Sequence, residues 1–137
     1  LLNMKYIKRI SKLNIFRIFS LNKVYKKILP SELGNVHTLK LDYLPNLKEL
    51  QTKLGNGNNL YLCDFPNLKE LPSELGNVHT LILQNLPNIK ELSSELVNVN
   101  SLYLRNLPNI KELPSEFKNI KNFINYNNIL FKFNKKN

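Results

Sequence analysis

The chain has no tryptophan, a single cysteine, a single methionine and four glycines, and nowhere runs about 18 apolar residues without a break. The missing apolar run excludes a helix that crosses a membrane. Cys63 alone builds neither a disulfide framework nor a cysteine-based zinc site. Gly34, Gly55, Gly57 and Gly76 are too scattered for a phosphate-cradling loop. Acid is missing from both flanks. Residues 1–28 hold eight bases and residues 118–137 hold five, with no Asp or Glu in either stretch. Seven bases and all ten acids lie between, so the net charge of +10 belongs to the ends. The opening residues Leu1 to Ile7 read poorly as a secretory signal, because Lys5, Lys8 and Arg9 break the apolar run.

What is present is a repeat. With 137 residues and 42% hydrophobic residues, one globular domain is expected, burying roughly two-thirds of its unfolded surface. The phrase from Leu29 to Leu39 returns from Leu71 to Leu81, and intermediate copies halve that offset to 21. Leu-Pro-Asn-Leu-Lys-Glu at 44–49 recurs at 65–70, 86–91 and 107–112 with conservative changes. Four units run 29–49, 50–70, 71–91 and 92–112, and a fifth begins at Leu113 and decays. Within a unit, Leu39-x-Leu41 has the period of a strand with both leucines on one face, and wider spacings of three or four turn the chain. Such a unit cannot close its own core and has to stack on its copies.

Leu39-x-Leu41, Leu60-x-Leu62, Leu81-x-Leu83 and Leu102-x-Leu104, each inside the wider ladder, resemble leucine-rich repeats. The Leu-Lys-Glu-Leu-Pro-Ser-Glu-Leu-Gly-Asn phrase resembles repeats of plant disease-resistance receptors, and Gly-Asn-Val-His-Thr-Leu is similar to repeats of amoeba-infecting giant viruses. The resemblance implies an α/β class and a short right-handed solenoid. A parallel sheet would line its concave face, with turns or 3₁₀ segments on the convex one. It also implies non-catalytic protein binding in an intracellular, cytoplasmic setting, that of a host cell if the giant-virus likeness holds. In one respect the chain departs from the family. The usual Asn after the Leu-x-Leu core is replaced by Leu44, Phe65, Leu86 and Leu107. Asn46, Asn67, Asn88 and Asn109, two positions later, are expected to take over turn bonding.

Strands are expected near 37–42, 58–63, 79–84, 100–105 and 121–125, ended by Pro45, Pro66, Pro87 and Pro108. Ser31, Ser73, Ser94 and Ser115 are expected to cap short helical turns. Gly57 replaces the Val column and should make the second unit the loosest. Residues 1–28 read as a basic N-terminal cap. Met4, Ile7, Ile10 and Leu13 suggest an amphipathic helix there, and Ile15 to Leu21 an irregular first repeat with Phe19 and Leu21 in the leucine places. Residues 113–137 read as a degenerate fifth repeat and a basic tail, the core stopping at Asn125.

Catalysis finds little support. His37 and His79 share a column two units apart, roughly 10 Å, too far for one zinc ion. The recurrent Lys-Glu couples at 48–49, 69–70, 90–91 and 111–112 read as a solvated ladder. No enzyme activity and no cofactor is expected, and the chain is expected to be a monomer.

Alternation assigns the binding face. The middle residues of the Leu-x-Leu strands, Lys40, Tyr61, Ile82, Tyr103 and Ile124, point away from the leucines. Asp42, Cys63, Gln84, Arg105 and Tyr126 flank them on one side, and Thr38, Asn59, Thr80, Ser101 and Asn122 on the other. Four successive apolar or aromatic residues between polar columns nominate Tyr61, Ile82, Tyr103 and Arg105, with Lys40 and Ile124, as a protein-binding centre. Two alternatives stand beside it: a substrate-reading fragment of a ubiquitin-ligase adaptor, and an electrostatic nucleic-acid binder working through the basic flanks.

Overall fold

In the computed structural model, the described residues are 7–10, 15–19, 37–45, 47–50, 59–72, 75, 77–126 and 132–133. Among these residues nine strands run in chain order: β1 (Ile7–Ile10), β2 (Ile15–Phe19), β3 (Thr38–Asp42), β4 (Asn59–Cys63), β5 (Thr80–Gln84), β6 (Ser101–Arg105), β7 (Glu112–Leu113), β8 (Asn122–Asn125) and β9 (Lys132–Phe133). Seven form one sheet in the order β1-β2-β3-β4-β5-β6-β8, while β7 and β9 make a two-stranded parallel pair. From β2 onward every pairing in the large sheet is parallel, and β1 alone runs antiparallel. The five strands expected from the Leu-x-Leu alternation all form, and each pairs in register with a residue 21 positions away.

The inward leucines explain the register. Leu39, Leu41, Leu60, Leu62, Leu81, Leu83, Leu102 and Leu104 are all fully buried, each directly opposite a leucine of a neighbouring strand. A slip by one residue would turn all of them to the other face, so burial holds the alignment. Each buried leucine contributes roughly 1.5–3 kcal/mol relative to exposure.

Each of β3 to β6 is followed by a left-handed residue: Tyr43 (φ 50°), Asp64 (61°), Asn85 (54°) and Asn106 (50°). Asn and Asp tolerate that conformation best among residues with a side chain beyond glycine. It turns the chain so that Leu44, Phe65, Leu86 and Leu107 re-enter the core. The expected compensation by asparagine takes a particular form. The amides of Asn67, Asn88 and Asn109 donate to the carbonyls of Pro45, Pro66 and Pro87, 22 residues earlier. The bonds therefore tie neighbouring units together rather than closing a turn within one; Asn46 lies outside the described residues.

Among the described residues, two 3₁₀ segments span Ser94–Asn98 and Ser115–Asn119. The capping expectation is corrected by one residue. Ser93 is the extended cap residue, its hydroxyl accepting from Glu95 N at 3.2 Å, and Ser94 is already inside the turn. In the next unit Pro114 holds the cap position without a side-chain bond, since proline has no hydroxyl to offer, and Ser115 follows it. Ser31, Ser73 and Gly57 lie outside the described residues.

The N-terminal expectations are also corrected. Residues 7–10 form strand β1, not a helix; a β-branched Ile at each end suits a strand, and β2 supplies a partner. Met4 and Leu13 lie outside the described residues. In β2 the positions opposite Leu39 and Leu41 belong to Phe16 and Ile18, not to Phe19 and Leu21. Phe19 pairs with Asp42, and Leu21 lies outside the described residues. At the far end Asn125 stands opposite Leu104 and is exposed, yet the core reaches beyond it. Phe133 of β9 packs partly buried against the core, with Lys118 Nζ 5.0 Å from its ring centroid. No helix among the described residues is long and apolar enough to cross a membrane.

Candidate partner-binding face

The middle outward column assembles as alternation requires. Lys40, Tyr61, Ile82, Tyr103 and Ile124 stand directly opposite one another on five successive parallel strands, and all five are half-buried. Neighbouring strands lie about 4.8 Å apart, so adjacent side chains in the column touch. Half-burial follows: each ring or branched side chain covers its neighbours' flanks and leaves an outer surface to solvent. Lys40 Nζ sits 4.7 Å from the Tyr61 ring centroid, a cation–π contact that draws the cationic end onto the aromatic stripe.

One flanking column is polar and partly bonded within itself. Asn59 Nδ2 donates to Thr38 Oγ1 at 3.4 Å, and Asn122 Nδ2 donates to Ser101 Oγ at 3.1 Å. On the other side Asp42, Cys63 and Gln84 are half-buried, and Arg105 is exposed. Tyr126 follows β8 and is 62% exposed, so it adds an aromatic side chain near Arg105. All six nominated residues, Lys40, Tyr61, Ile82, Tyr103, Arg105 and Ile124, lie on one face of one sheet.

A feature that residue alternation could not reveal lies at the carboxyl ends of the strands. Tyr43, Asp64, Pro66, Asn85, Pro87 and Asn106 line a shallow groove of about 260 Å³. Its floor is a side-chain ladder in which Asn106 Nδ2 donates to Asn85 Oδ1 at 2.8 Å and Asn85 Nδ2 to Asp64 Oδ1 at 2.5 Å. Tyr43 is the exception in this column, a left-handed residue that is neither Asn nor Asp and is 57% exposed. The sequence signal was the Asp or Asn one place after β4, β5 and β6, which marks left-handed backbone.

No family model matches the chain, and no curated protein or solved structure matches it.

The other candidate chemistry remains dispersed. His37 and His79 are both exposed, and the His79 Nδ1 lies 3.2 Å from Thr80 Oγ1. Glu70 and Glu91 edge a second cavity of about 420 Å³ whose remaining lining is Leu, Pro and Ser. Among the described residues no three of His, Cys, Asp or Glu cluster as metal ligands. The Lys-Glu couples at 48–49, 69–70, 90–91 and 111–112 are exposed.

Proposed function

We propose that this chain is a short leucine-rich repeat solenoid that binds a protein partner, without catalysis, through the outward face of its sheet. The carrying observation is the stripe Tyr61–Ile82–Tyr103–Ile124, in register on four adjacent strands, with a polar, partly hydrogen-bonded column on one side and Cys63, Gln84 and Arg105 on the other. Strand propensity alone would scatter such residues over all the outward columns, whereas within β4, β5, β6 and β8 the aromatic and aliphatic ones fill the middle column. Tyr offers large, rigid contact area with little side-chain entropy to lose, and Tyr and Arg dominate interface hot spots. Arg105 borders the stripe and Lys40 ends it, giving the apolar centre a charged rim.

The test is affinity capture with the intact chain and with Tyr61→Ala/Tyr103→Ala. Proteins retained by the first should be lost by the second, with the melting curve nearly unchanged because neither ring is in the core. If the same proteins are retained by both, the sheet face is only scaffold. Retention that ignores the tyrosines and vanishes at high salt would instead favour the basic flanks as an electrostatic binder.

A further inference from the structure

The groove at the carboxyl ends of the strands carries one formal charge, that of Asp64; its other lining residues are Tyr43, Pro66, Asn85, Pro87 and Asn106. Among the described residues no cation pairs with the Asp64 carboxylate, although the chain as a whole carries a net charge of +10. The Asn85 amide supplies its side-chain hydrogen bond. A carboxylate has about four acceptor sites, so a two-pronged donor still fits beside that amide. Backbone bonds fix the row: Tyr43 N donates to Cys63 O, Asp64 N to Gln84 O and Asn85 N to Arg105 O, each at 3.0 Å. The left-handed residues therefore stand one strand spacing apart, about 4.8 Å. The side-chain ladder runs one way, from Asn106 to Asn85 to Asp64, so each rung aims an amide hydrogen toward the carboxylate. It stops at Asp64, and the next place in the row belongs to Tyr43, which is 57% exposed. Asp42 precedes Tyr43 and Arg105 precedes Asn106, so the groove has an acid end and a basic end.

We propose that the acid end of this groove takes an arginine side chain presented by a partner protein. The guanidinium stacks on the Tyr43 ring and donates in a fork to the Asp64 carboxylate, while its methylene stem lies along Pro66 and Pro87. Charge selects a cation, because the one formal charge lining the groove is negative. Shape selects arginine over lysine. A planar guanidinium stacks on an aromatic face and matches a carboxylate with two parallel bonds, whereas an ammonium is a compact, strongly hydrated point charge. Size selects a side chain over a metabolite, since about 260 Å³ lies below the roughly 300–1,000 Å³ of small-molecule pockets. The ladder sets the acceptor in place beforehand, so binding has less left to order. The groove lies at the strand ends, off the outward middle column, and would take arginine even if the sheet face were only scaffold.

The experiment titrates the isotope-labelled full chain with capped Gly-Ser peptides carrying a single arginine, lysine or citrulline, and follows the amide resonances. The arginine peptide should shift the resonances of Tyr43, Asp64 and Asn85 to saturation. The lysine peptide should bind several-fold more weakly, and the citrulline peptide, a neutral isostere, should not bind measurably. Affinity for the arginine peptide should fall roughly tenfold on Asp64→Asn, which removes the charge and keeps a residue suited to φ 61°. It should fall roughly fivefold on Tyr43→Asn, which removes the ring, and stay unchanged on Tyr43→Phe, which keeps it. Tyr61→Ala/Tyr103→Ala should leave it unchanged as well. Thermal melts verify that each variant folds, and the two changes at Tyr43 decide by themselves if Asp64→Asn does not. Equal binding of the lysine or citrulline peptide, full affinity on Asp64→Asn, an equal loss on Tyr43→Phe, or loss with the sheet-face tyrosines overturns the arginine pocket. Free arginine binding as tightly as the peptide overturns a partner protein as the source, and the absence of any shift overturns the site.

Discussion

The two faces of β3 to β6 follow different rules although they alternate along the same five-residue strands. On the inner face all eight positions are leucine, and all eight are fully buried. On the outer face the middle position passes through Lys40, Tyr61, Ile82 and Tyr103, all half-buried. Stacking explains the contrast. An inward leucine is packed by its counterparts in the units before and after it, so one departure leaves a void or a clash in three units at once. An outward side chain meets only its strand neighbours and water, and its chemistry can change from copy to copy without disturbing the core. Identity among internal copies marks what the fold demands; difference among them marks where recognition can be written.

The edges of the sheet sharpen the same lesson. Arg9 pairs with Phe16, in register with the Leu39 column, and Asn125 stands in the Leu41 column. By register, each terminal strand thus has a polar residue in a column that is leucine throughout β3 to β6. An edge strand that could accept a further copy is a liability, and a charge or an amide in the inner register discourages that pairing.

The comparison between faces can be broken at several points. Deleting residues 1–28 removes β1 and β2 and leaves the β3 edge without its partner, and the truncated protein should associate at high concentration. Light scattering that finds it as monomeric as the full chain would refute the capping role. Leu83→Ala opens a void among filled units and should cost about 2–5 kcal/mol in a reversible denaturant melt. A loss below about 1 kcal/mol would contradict the stacking. Asn85→Ala removes both rungs of the side-chain ladder and puts alanine at a left-handed position, so about 1–2 kcal/mol should be lost. The outer-face change Tyr61→Ala/Tyr103→Ala should cost less than any core truncation while abolishing partner capture. Smallest is Tyr43→Asn, which replaces a residue poorly suited to φ 50° by one that tolerates it. Thermal denaturation should show a gain of about 0.5 kcal/mol, and a loss would mean that the exposed ring supports the fold.

Much of the strand layout is legible in the sequence. The 21-residue offset and the Leu-x-Leu alternation placed all five repeated strands and the outward residues between their leucines. Two kinds of information were not legible. Around residues 7–21, Ile, Phe and Lys recur at spacings compatible with either a helix or a strand, and only pairing with β3 sets the register at Phe16 and Ile18. At the capping serines, two neighbouring positions both carry Ser in 93–94, and the backbone angles decide which one caps.

Alternation and repeat length are local and periodic properties, and the chain by itself determined through them that leucines face inward and that parallel strands succeed one another at a constant offset. Which distant residues share a column is a property of pairing, and only the tertiary structure decided it. It carried the Lys40 column on to Arg17 and Lys8, sent the Asn67, Asn88 and Asn109 amides to proline carbonyls of the preceding unit, and brought Phe133 back onto the core. The physical reason is that a strand's own sequence sets which residues alternate to which face, whereas its register against a neighbour is chosen by the burial and hydrogen bonding of both strands together.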